Sequence, residues 1–287
     1  MTTLRIQWTS TMVSPAFRNR PLQTLRRLAV WKLICLFKRP VRVKFNPWDL
    51  VMILPAEWKG TAKLLYAFRE AYEPELVVLE QFLKPGETMV DVGANYGVYS
   101  LRASKLVGPR GRVFAFEPAS KAFRYLQRNM RENSLENVSA FSLALSNQAG
   151  KAHLYLNQDP SRNSIASDLE GSDFEEIETN TLDAILADQG ISRLHFLKID
   201  AEGADELVCQ GARKTLAAYH PVVMFEVNPE AAGLLGLQKE NIGVLLTNLG
   251  YRFYKVCPTG KLQQVDKLPA GGNVIAIYQD GDQECVS

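Results

Sequence analysis

The stretch TMVDVGANYGVYS, residues 88–100, decides the fold of this chain. It begins as a buried strand over residues 88–92, and a turn of small residues then opens a helix that we predict over residues 98–107. Gly93 allows a tight turn and a close backbone approach, and Gly97 lets the helix begin beside a ligand. The free N–H groups of such a turn can meet the carboxylate of a bound amino acid.

Short apolar strands and helices alternate on the C-terminal side of this stretch. That alternation is typical of a mostly parallel sheet with helices on both faces, so we predict an α/β, Rossmann-like fold. Residues 251–256 and 274–278 are expected to close the sheet as a hairpin, and the polar residues 157–180 are expected to form an irregular loop. We predict further strands at 112–116, 138–143, 151–156, 194–199 and 222–227, and helices at 121–133, 181–188, 206–218 and 230–249.

Positive charge is concentrated in the first part of the chain. Residues 1–48 hold ten of the 33 Lys and Arg residues and no acid, so all 31 acidic residues follow them. We predict a basic N-terminal extension (1–80), a catalytic domain (81–280) and a short tail (281–287). The basic stretch indicates contact with phosphate, an acidic sugar or peripherally with a membrane surface; a solvated tail or an arm packed on the acidic domain explains it equally well.

Within the extension, residues 22–38 predict a helix. In a projection at 3.6 residues per turn, Lys32 falls on the same side as Leu25, Leu28 and Leu36, whereas a membrane-surface helix would keep that side apolar. We therefore expect the helix to dock on the protein's own body. We also expect the first eighty residues to cover the substrate side of the sheet. Short strands are predicted at 41–45 and 50–54, and helices at 61–72 and 74–83.

Cysteine usage and hydropathy suggest in which cellular compartment the protein is located. The four cysteines are widely spaced and form no Cys-x-x-Cys pair, so neither a disulfide framework nor a zinc site is indicated. The apolar run 28–37 is interrupted by Lys32 and is shorter than the roughly 20 apolar residues that span a bilayer. These features predict a cytoplasmic protein.

About twenty residues after the glycine turn, strand 112–116 ends in Glu117-Pro118, which supplies an acid in addition to Asp91. An acid at this place can accept hydrogen bonds from both hydroxyls of a ribose. A nicotinamide fingerprint needs Gly-x-Gly-x-x-Gly, but Asn95 and Val98 occupy its second and third glycine positions. Asp91 can instead face the amino group of a methionine, so we predict S-adenosylmethionine as the cofactor. The predicted cofactor contacts are Asp91, Gly93, Ala94, Asn95, Gly97, Ser100, Glu117 and Pro118.

Acids also lie at the ends of the predicted strands 194–199 and 222–227. Asp200 and Glu202 come directly after the first of these strands, and Glu226 stands at the end of the second. Because ligands bind at the carboxyl ends of parallel strands, these acids are our candidates for a catalytic base or acceptor-positioning residue, with Asp200 first. They could equally hold the cofactor amine, cap helices or pair with Lys198, which needs a carboxylate partner if buried. Nothing defines a ligand geometry, so we predict no metal.

Several motifs occur in the order found in a known protein family, and together they make the resemblance to that family specific. From about Glu80 to Val256 the chain resembles the FkbM family of S-adenosylmethionine-dependent methyltransferases. One departure is Asp205, where the family usually has a glutamate. The resemblance rests on DVGANYG (91–97), FEP (116–118), TLD (181–183), KIDAEG (198–203) and the stretch 221–226.

The resemblance implies a seven-stranded methyltransferase sheet and O-methylation of a sugar, glycan or other small metabolite. We expect the polar loop at Arg162, Asn163 and Ser164 to close over the substrate, although a surface insertion explains it as well. Asp200 and Glu202, after strand 194–199, offer no surface on which a nucleic-acid base could stack, so no nucleic-acid partner is expected. A nucleic-acid or protein methyltransferase and a catalytically inactive cofactor-binding scaffold stay open as alternatives, and so does the oligomeric state.

Overall fold

The computed structural model is built around an eight-stranded sheet with helices on both faces. It describes residues 17–18, 20–157, 163, 165, 173–257 and 260–279. The described strands are β1 (Val41–Phe45), β2 (Leu50–Leu54), β3 (Thr88–Val92), β4 (Arg112–Phe116), β5 (Val138–Phe141), β6 (Ala144–Leu145), β7 (Gly150–Tyr155), β8 (Phe174–Asn180), β9 (Phe196–Ile199), β10 (Val222–Val227), β11 (Tyr251–Val256), β12 (Leu262–Val265) and β13 (Gly272–Tyr278). The described α-helices are α1 (Pro21–Phe37), α2 (Thr61–Phe68), α3 (Glu75–Phe82), α4 (Val98–Val107), α5 (Ser120–Glu132), α6 (Leu182–Asp188), α7 (Asp205–Gly211), α8 (Arg213–Tyr219), α9 (Pro229–Leu234) and α10 (Lys239–Asn248).

The strand order locates the point where the chain reverses its winding direction. The order is β12-β11-β13-β10-β9-β3-β4-β5, and the five strands from β10 to β5 are parallel. From β3 the chain winds outward through β4 and β5, then returns to β9 and winds the other way through β10. The switch point therefore lies between β3 and β9. In open α/β sheets, ligands bind beyond the carboxyl ends of the strands at such a point.

The predicted Rossmann-like class is confirmed, and the sheet has one strand more than the seven expected. The predicted closing pair is β11 and β13, which are antiparallel with Tyr251 opposite Tyr278. The additional strand, β12, pairs with β11 at the edge of the sheet. Its sequence, LQQV, has no apolar alternation: the two glutamines are exposed, and Leu262 and Val265 are half-buried against the cores.

Alternating residues of the strands contribute to two cores on opposite faces of the sheet. In β4, for example, Val113 and Ala115 lie in one core, and Phe114 and Phe116 lie in the other. The first core also takes in α1 to α5, and the second takes in α6, α7, α8 and α10. All five residues of β3 are buried, as a parallel strand covered on both faces requires.

A small second sheet corrects the prediction of an irregular loop over residues 157–180. Its order is β6-β8-β7, and β8 pairs antiparallel with β7 along its length. The sequence of β8 is mostly polar, so its strand character comes from cross-strand contacts rather than from apolar alternation. Lys151 Nζ lies 2.6 Å from Glu176 Oε1, and the ring of His153 stacks on Phe174 with centroids 4.2 Å apart. The predicted strand 138–143 is shorter in the structure, where β5 ends at Phe141, and β6 follows it as a strand of the second sheet.

The single helix predicted over residues 206–218 is in fact two helices, α7 and α8. At the break, Gly211 packs against the backbone of Ser146. A Cβ at Gly211 would lie 2.0 Å from the carbonyl oxygen of Ser146. Asp183 then accepts the N–H groups of Lys214 and Thr215 at the start of α8. Such caps satisfy helix N–H groups that have no partner within the helix. The predicted helix 230–249 is likewise divided, into α9 and α10.

The N-terminal segment joins the first core instead of standing apart from it. Helix α1 packs on α2 through a buried face that includes Trp31, whose Nε1 donates to the carbonyl of Glu57 at 2.7 Å. Hairpin β1–β2 lies against α5. There, Asn129 Oδ1 accepts the N–H of Ile53 at 2.6 Å, and its Nδ2 donates to the carbonyl of Tyr96 at 2.8 Å. The docking predicted for α1 is therefore observed.

Asn129 links three elements through one fully buried amide, so its truncation leaves a buried N–H and a buried carbonyl without partners. We expect Asn129→Ala to lower the free energy of unfolding by about 2–4 kcal/mol. Urea unfolding followed by circular dichroism measures the change. Arg128→Ala, at an exposed position of the same helix, is the control and should stay within about 0.5 kcal/mol of the wild type. Equal midpoints for the two variants would contradict this role.

Candidate active site

The turn after β3 lies directly on the backbone that follows β9. Gly93, Asn95 and Gly97 all have positive φ, at 68°, 52° and 91°. A Cβ at Gly93 would lie 1.9 Å from the carbonyl oxygen of Asp200, so this contact requires glycine. The N–H groups of Gly93 and of the next residue both donate to the carbonyl of Phe116, at 3.0 and 2.9 Å. The turn is therefore held between the ends of β4 and β9.

Beneath the turn, the buried side chain of Lys198 connects the ends of β3 and β9. Its Nζ lies 3.3 Å from a carboxylate oxygen of Asp91 and 3.3 Å from one of Asp200. It also donates to the carbonyls of Val92 and Gly93, at 3.3 and 3.0 Å. Burial alone would lower the pKa of Lys198, but Asp200 and Asp91 outweigh it and raise the pKa. The lysine thus has the carboxylate partners that its burial requires.

Asp91 and Ser100 support this lysine from below. Asp91 is fully buried and accepts a hydrogen bond from Ser100 Oγ at 2.5 Å. Neither residue lines the two cavities that meet at the turn. The structure therefore places both of these predicted cofactor residues one layer beneath the ligand space, where they position Lys198.

The first cavity has a volume of about 300 Å³ and lies toward the ends of β4 and β5. Its walls are mainly apolar and include Leu143, Leu145 and Leu154. Glu117 is the buried acid in this wall, and its two oxygens accept the N–H groups of Asn95 and Ala119, each at 2.8 Å. Burial raises the pKa of Glu117 to about 7. A mainly apolar cavity with a buried carboxylate in its wall fits a nucleoside, which presents a flat base and two ribose hydroxyls.

One buried polar atom at this cavity lacks a partner among the described residues. Asn95 Oδ1 is buried and accepts no hydrogen bond, although Asn95 lines both cavities. Buried acceptors in native proteins are nearly always satisfied, so such an atom indicates a missing donor. The amino group of a bound methionine moiety is a donor of the right kind. The orphaned oxygen therefore supports the fit of S-adenosylmethionine to this site.

The second cavity, of about 270 Å³, lies on the other side of the same turn and is mainly polar. It shares Gly93, Asn95, Asp200 and Glu202 with the first cavity, so the two form one continuous ligand space around the turn. Four carboxyl groups line it against a single ammonium group. An anionic ligand would meet repulsion there, whereas hydroxyl groups would find acceptors. The other polar lining residues are Thr61, Tyr72, Glu73, Tyr99, Lys198, Glu226 and Asn228.

Glu73 is an acid of the second cavity whose pKa is strongly raised. Burial raises its pKa to about 7, and the hydroxyl of Tyr99, which donates to Glu73 Oε2 at 2.5 Å, partly opposes that shift. The charge of Asp200 raises the pKa further. A carboxyl group that titrates near neutral pH is well matched to accept a proton from a ligand. Asp200, by contrast, is engaged in an ion pair with Lys198.

Asp205 connects the two strand ends that carry the predicted catalytic acids. Its carboxylate accepts the N–H of Ala201 at 3.3 Å and the N–H of Glu226 at 3.2 Å. The side chain is buried, which raises the pKa of Asp205 to about 7. Although this position departs from the glutamate of the resembled family, the shorter aspartate bridges both backbones here. It therefore sets the spacing between the ends of β9 and β10.

The structure brings most of the predicted site residues together. Asp200 and Glu202 line both cavities, and Glu226 lines the second. Gly97 lines neither; it packs against Leu126, which a Cβ would approach to 2.5 Å. The predicted cofactor residues that line the ligand space are Gly93, Ala94, Asn95, Glu117 and Pro118.

Of the three loop residues that we predicted to close over the substrate, the structure describes Asn163 alone. Asn163 lines the first cavity, and its Oδ1 accepts the N–H of Asn157 at 2.8 Å. Arg162 and Ser164 lie outside the described residues, so their predicted contacts stay predictions. Among the residues that the structure describes, no group of three or more His, Cys, Asp or Glu side chains could hold a metal ion.

Two groups of lining residues were missed by the sequence reasoning. Leu143 and Leu145 follow the third strand of the parallel sheet, and the rule that ligands bind beyond strand ends would have pointed to them. Tyr72 and Glu73 lie in the short segment before α3, far from every motif. Nothing in the local sequence distinguishes Glu73 from an ordinary surface acid.

Comparison with known proteins gives a consistent picture. A model of the methyltransferase FkbM domain matches residues 91–253, which is more than half of the chain. Methyltransferase sdnD of Sordaria araneosa is 29% identical over 154 residues, which are 43% of this chain and 59% of that protein.

Two further relatives have names that specify the methylated atom. The 31-O-demethyl-FK506 methyltransferase FkbM of Streptomyces tacrolimicus is 29% identical over 203 residues, 57% of this chain and 76% of that protein. The 2-O-methyltransferase NoeI of Sinorhizobium fredii is 25% identical over 150 residues, 46% of this chain and 60% of that protein. The chain thus spans less than two thirds of the length of sdnD and NoeI.

Glu117 provides a direct test of the first cavity. Glu117→Gln removes the carboxylate that we predict to accept the ribose hydroxyls, so we expect the affinity for S-adenosylmethionine to fall by about tenfold or more. In the wild type, the raised pKa of Glu117 means that affinity should increase as the pH rises from about 6 to about 8, because the carboxylate forms in that window. The variant should lose this pH dependence.

Isothermal titration calorimetry over this pH range measures both effects. Glu136→Gln, an exposed acid before β5, is the control and should bind like the wild type. If Glu117→Gln kept wild-type affinity at every pH, the assignment of the ribose site to Glu117 would be wrong.

Proposed function

Because the chain belongs to the FkbM family of methyltransferases, whose methyl donor is S-adenosylmethionine, we propose that it methylates a hydroxyl oxygen of a small metabolite, sugar or glycan. The observation that carries the proposal is the polar second cavity, where Glu73 has a pKa near 7 beside Asp200. This cavity adjoins the nucleoside-shaped cavity at the turn after β3. The acceptor would therefore lie next to the methyl donor.

The residues of the first cavity fit the methyl donor in each of its parts. Glu117 would accept the ribose hydroxyls, and the apolar side chains of Leu143 and Leu145 would cover the base. The backbone turn at Gly93 and the free Oδ1 of Asn95 would hold the amino-acid portion. When bound, S-adenosylmethionine supplies an electrophilic methyl group on a sulfonium. All other chemistry falls to the residues of the second cavity.

A hydroxyl acceptor must lose its proton as its oxygen forms the new bond to carbon. Glu73 lines the second cavity and is held by Tyr99, so its carboxylate would take up that proton. General base catalysis of this kind contributes roughly 10²–10⁴-fold to a rate. Asp200 and Glu226 would position the acceptor by accepting hydrogen bonds from its other hydroxyls. Alignment of the acceptor with the methyl group can lower the barrier by a further ~7–11 kcal/mol.

The charge of the second cavity supports a neutral, hydroxyl-rich acceptor. Glu73, Asp200, Glu202 and Glu226 line it, and its one ammonium, that of Lys198, is already paired with carboxylates. A phosphate-bearing acceptor such as a nucleic acid would meet uncompensated negative charge. Two relatives are named as methyltransferases of an oxygen, which supports an oxygen acceptor at 29% and 25% identity.

Replacement of the proposed base should separate catalysis from cofactor binding. We expect Glu73→Gln to lower kcat by about 10²–10⁴-fold while the Kd of S-adenosylmethionine stays unchanged. In the wild type, kcat should rise with pH through about 7, because the raised pKa keeps Glu73 protonated below that value. The variant should lose this rise. Acceptor-dependent release of S-adenosylhomocysteine, measured with a panel of monosaccharides, glycosides and polyols, reports these rates.

Two controls make the test specific. Glu136→Gln alters an exposed acid that lines neither cavity, and it should keep wild-type kcat. Asp200→Asn examines the candidate that ranked first on sequence grounds. If Asp200→Asn abolished the pH-dependent rise and Glu73→Gln did not, Asp200 would be the base. Binding of S-adenosylmethionine with no turnover on any acceptor of the panel would instead favour a scaffold role.

A further inference from the structure

Helix α1 has two apolar faces, and the described part of the chain buries only one of them. The inward face consists of Thr24, Leu28, Trp31 and Cys35, which are between 1% and 8% exposed. The outward face exposes six large apolar side chains. They are Leu22 (82%), Leu25 (40%), Val30 (39%), Leu33 (57%), Leu36 (66%) and Phe37 (76%).

The six exposed side chains form one continuous surface. At about 100° per residue, they fall within an arc of about 140° on the side opposite Trp31. Ala29 and Arg26 complete that arc, so a single charge interrupts an otherwise apolar face. Exposed apolar residues scattered over a surface are ordinary, but a contiguous apolar face marks a contact with something else.

Basic residues surround this face, and the first 48 residues of the chain, which include α1, supply no acid to neutralise them. Lys32 lies at the border between the two faces, with Leu28 turned inward and Leu25 turned outward. This explains why the charges do not segregate in a simple helical projection. The exposed cations on and around α1 are Arg18, Arg20, Arg26, Lys32, Lys38 and Arg39.

We propose that the outward face of α1 docks the protein on the surface of an anionic phospholipid membrane. Helices of this kind lie in the plane of the interface, with apolar side chains in the acyl boundary and cations at the headgroups. In the described chain no helix is both long and apolar enough to pass through a bilayer. The apolar face and the surrounding cations together match a lipid surface with negative charge.

A second copy of the chain is a poorer partner for the same face. A symmetric dimer would bring two sets of basic residues together without an acid from this segment between them. Helix α1 has 17 residues and is therefore about 25 Å long. The surface area that one face of such a helix can bury falls short of the roughly 1,200–2,000 Å² buried in stable protein interfaces. Charge and area both favour the anionic lipid surface.

Vesicle co-sedimentation of the full chain tests the proposal. The vesicles are phosphatidylcholine alone or phosphatidylcholine mixed with phosphatidylglycerol, and binding is expected to the mixed vesicles and to weaken as salt is added. Leu33→Glu places a charge in the centre of the outward face and should lower the partition coefficient at least about tenfold. Val244→Glu, at a 58% exposed position of α10, is the matched control and should bind like the wild type.

Circular dichroism and S-adenosylmethionine binding measure whether each variant is folded. We expect both variants to fold, because both replaced side chains are exposed. Equal partitioning of Leu33→Glu and the wild type would overturn the proposal. So would failure of the wild type to bind either vesicle, or equal binding to both. Light scattering that shows a dimer in the wild type and a monomer in Leu33→Glu, without vesicle binding, would overturn it in favour of a second copy.

Discussion

The buried ammonium of Lys198 is the interaction on which the site depends. It holds the carboxylates of Asp91 and Asp200 and the carbonyl groups at the start of the turn after β3. Taking a charge out of water is expensive unless partners replace the lost hydration, and removal of one partner of a buried pair typically costs about 3–5 kcal/mol. Because the partners lie on β3 and after β9, the lysine connects the two strands at the switch point. The turn can then pack on the backbone of Asp200, where a side chain at Gly93 would not fit.

Two cavities of opposite character share the wall that this interaction builds. The first is apolar with one buried acid, Glu117, and the second is polar with four carboxyl groups. Neighbouring acids and burial act in the same direction on Glu73, so its pKa approaches neutrality, while the ion pair with Lys198 engages Asp200. Under the proposed function, one side of the turn would receive the nucleoside of the methyl donor and the other side the acceptor. The difference in polarity between the two cavities would divide these roles.

The second cavity is built partly from outside the segment that carries the family motifs. Thr61, Tyr72 and Glu73 precede the matched residues 91–253, yet they line the second cavity. They reach it because α1, α2, α3 and the hairpin β1–β2 share a core with α4 and α5. Under the proposed function, residues outside the family motifs would therefore contribute to acceptor choice, together with Asp200, Glu202 and Glu226 of the matched segment. Members of one family can in this way keep a cofactor site and change the acceptor.

The sequence by itself determined the central strands and the cofactor motifs. The bounds of β3, β4 and β10 agree with prediction, and Glu117 and Asp200 were identified as ligand-space residues, because strand ends and glycine turns are written locally. Tertiary structure decided the rest. Strand β8 forms because β7 supplies its partner, Gly211 breaks a helix because a neighbouring backbone approaches it, and the outward face of α1 is defined by which of its two apolar faces the core covers. Glu73 has a near-neutral pKa only because distant segments bury it beside Tyr99 and Asp200. Short-range patterns specify elements, whereas burial and charge at a site arise from residues that are far apart in the chain.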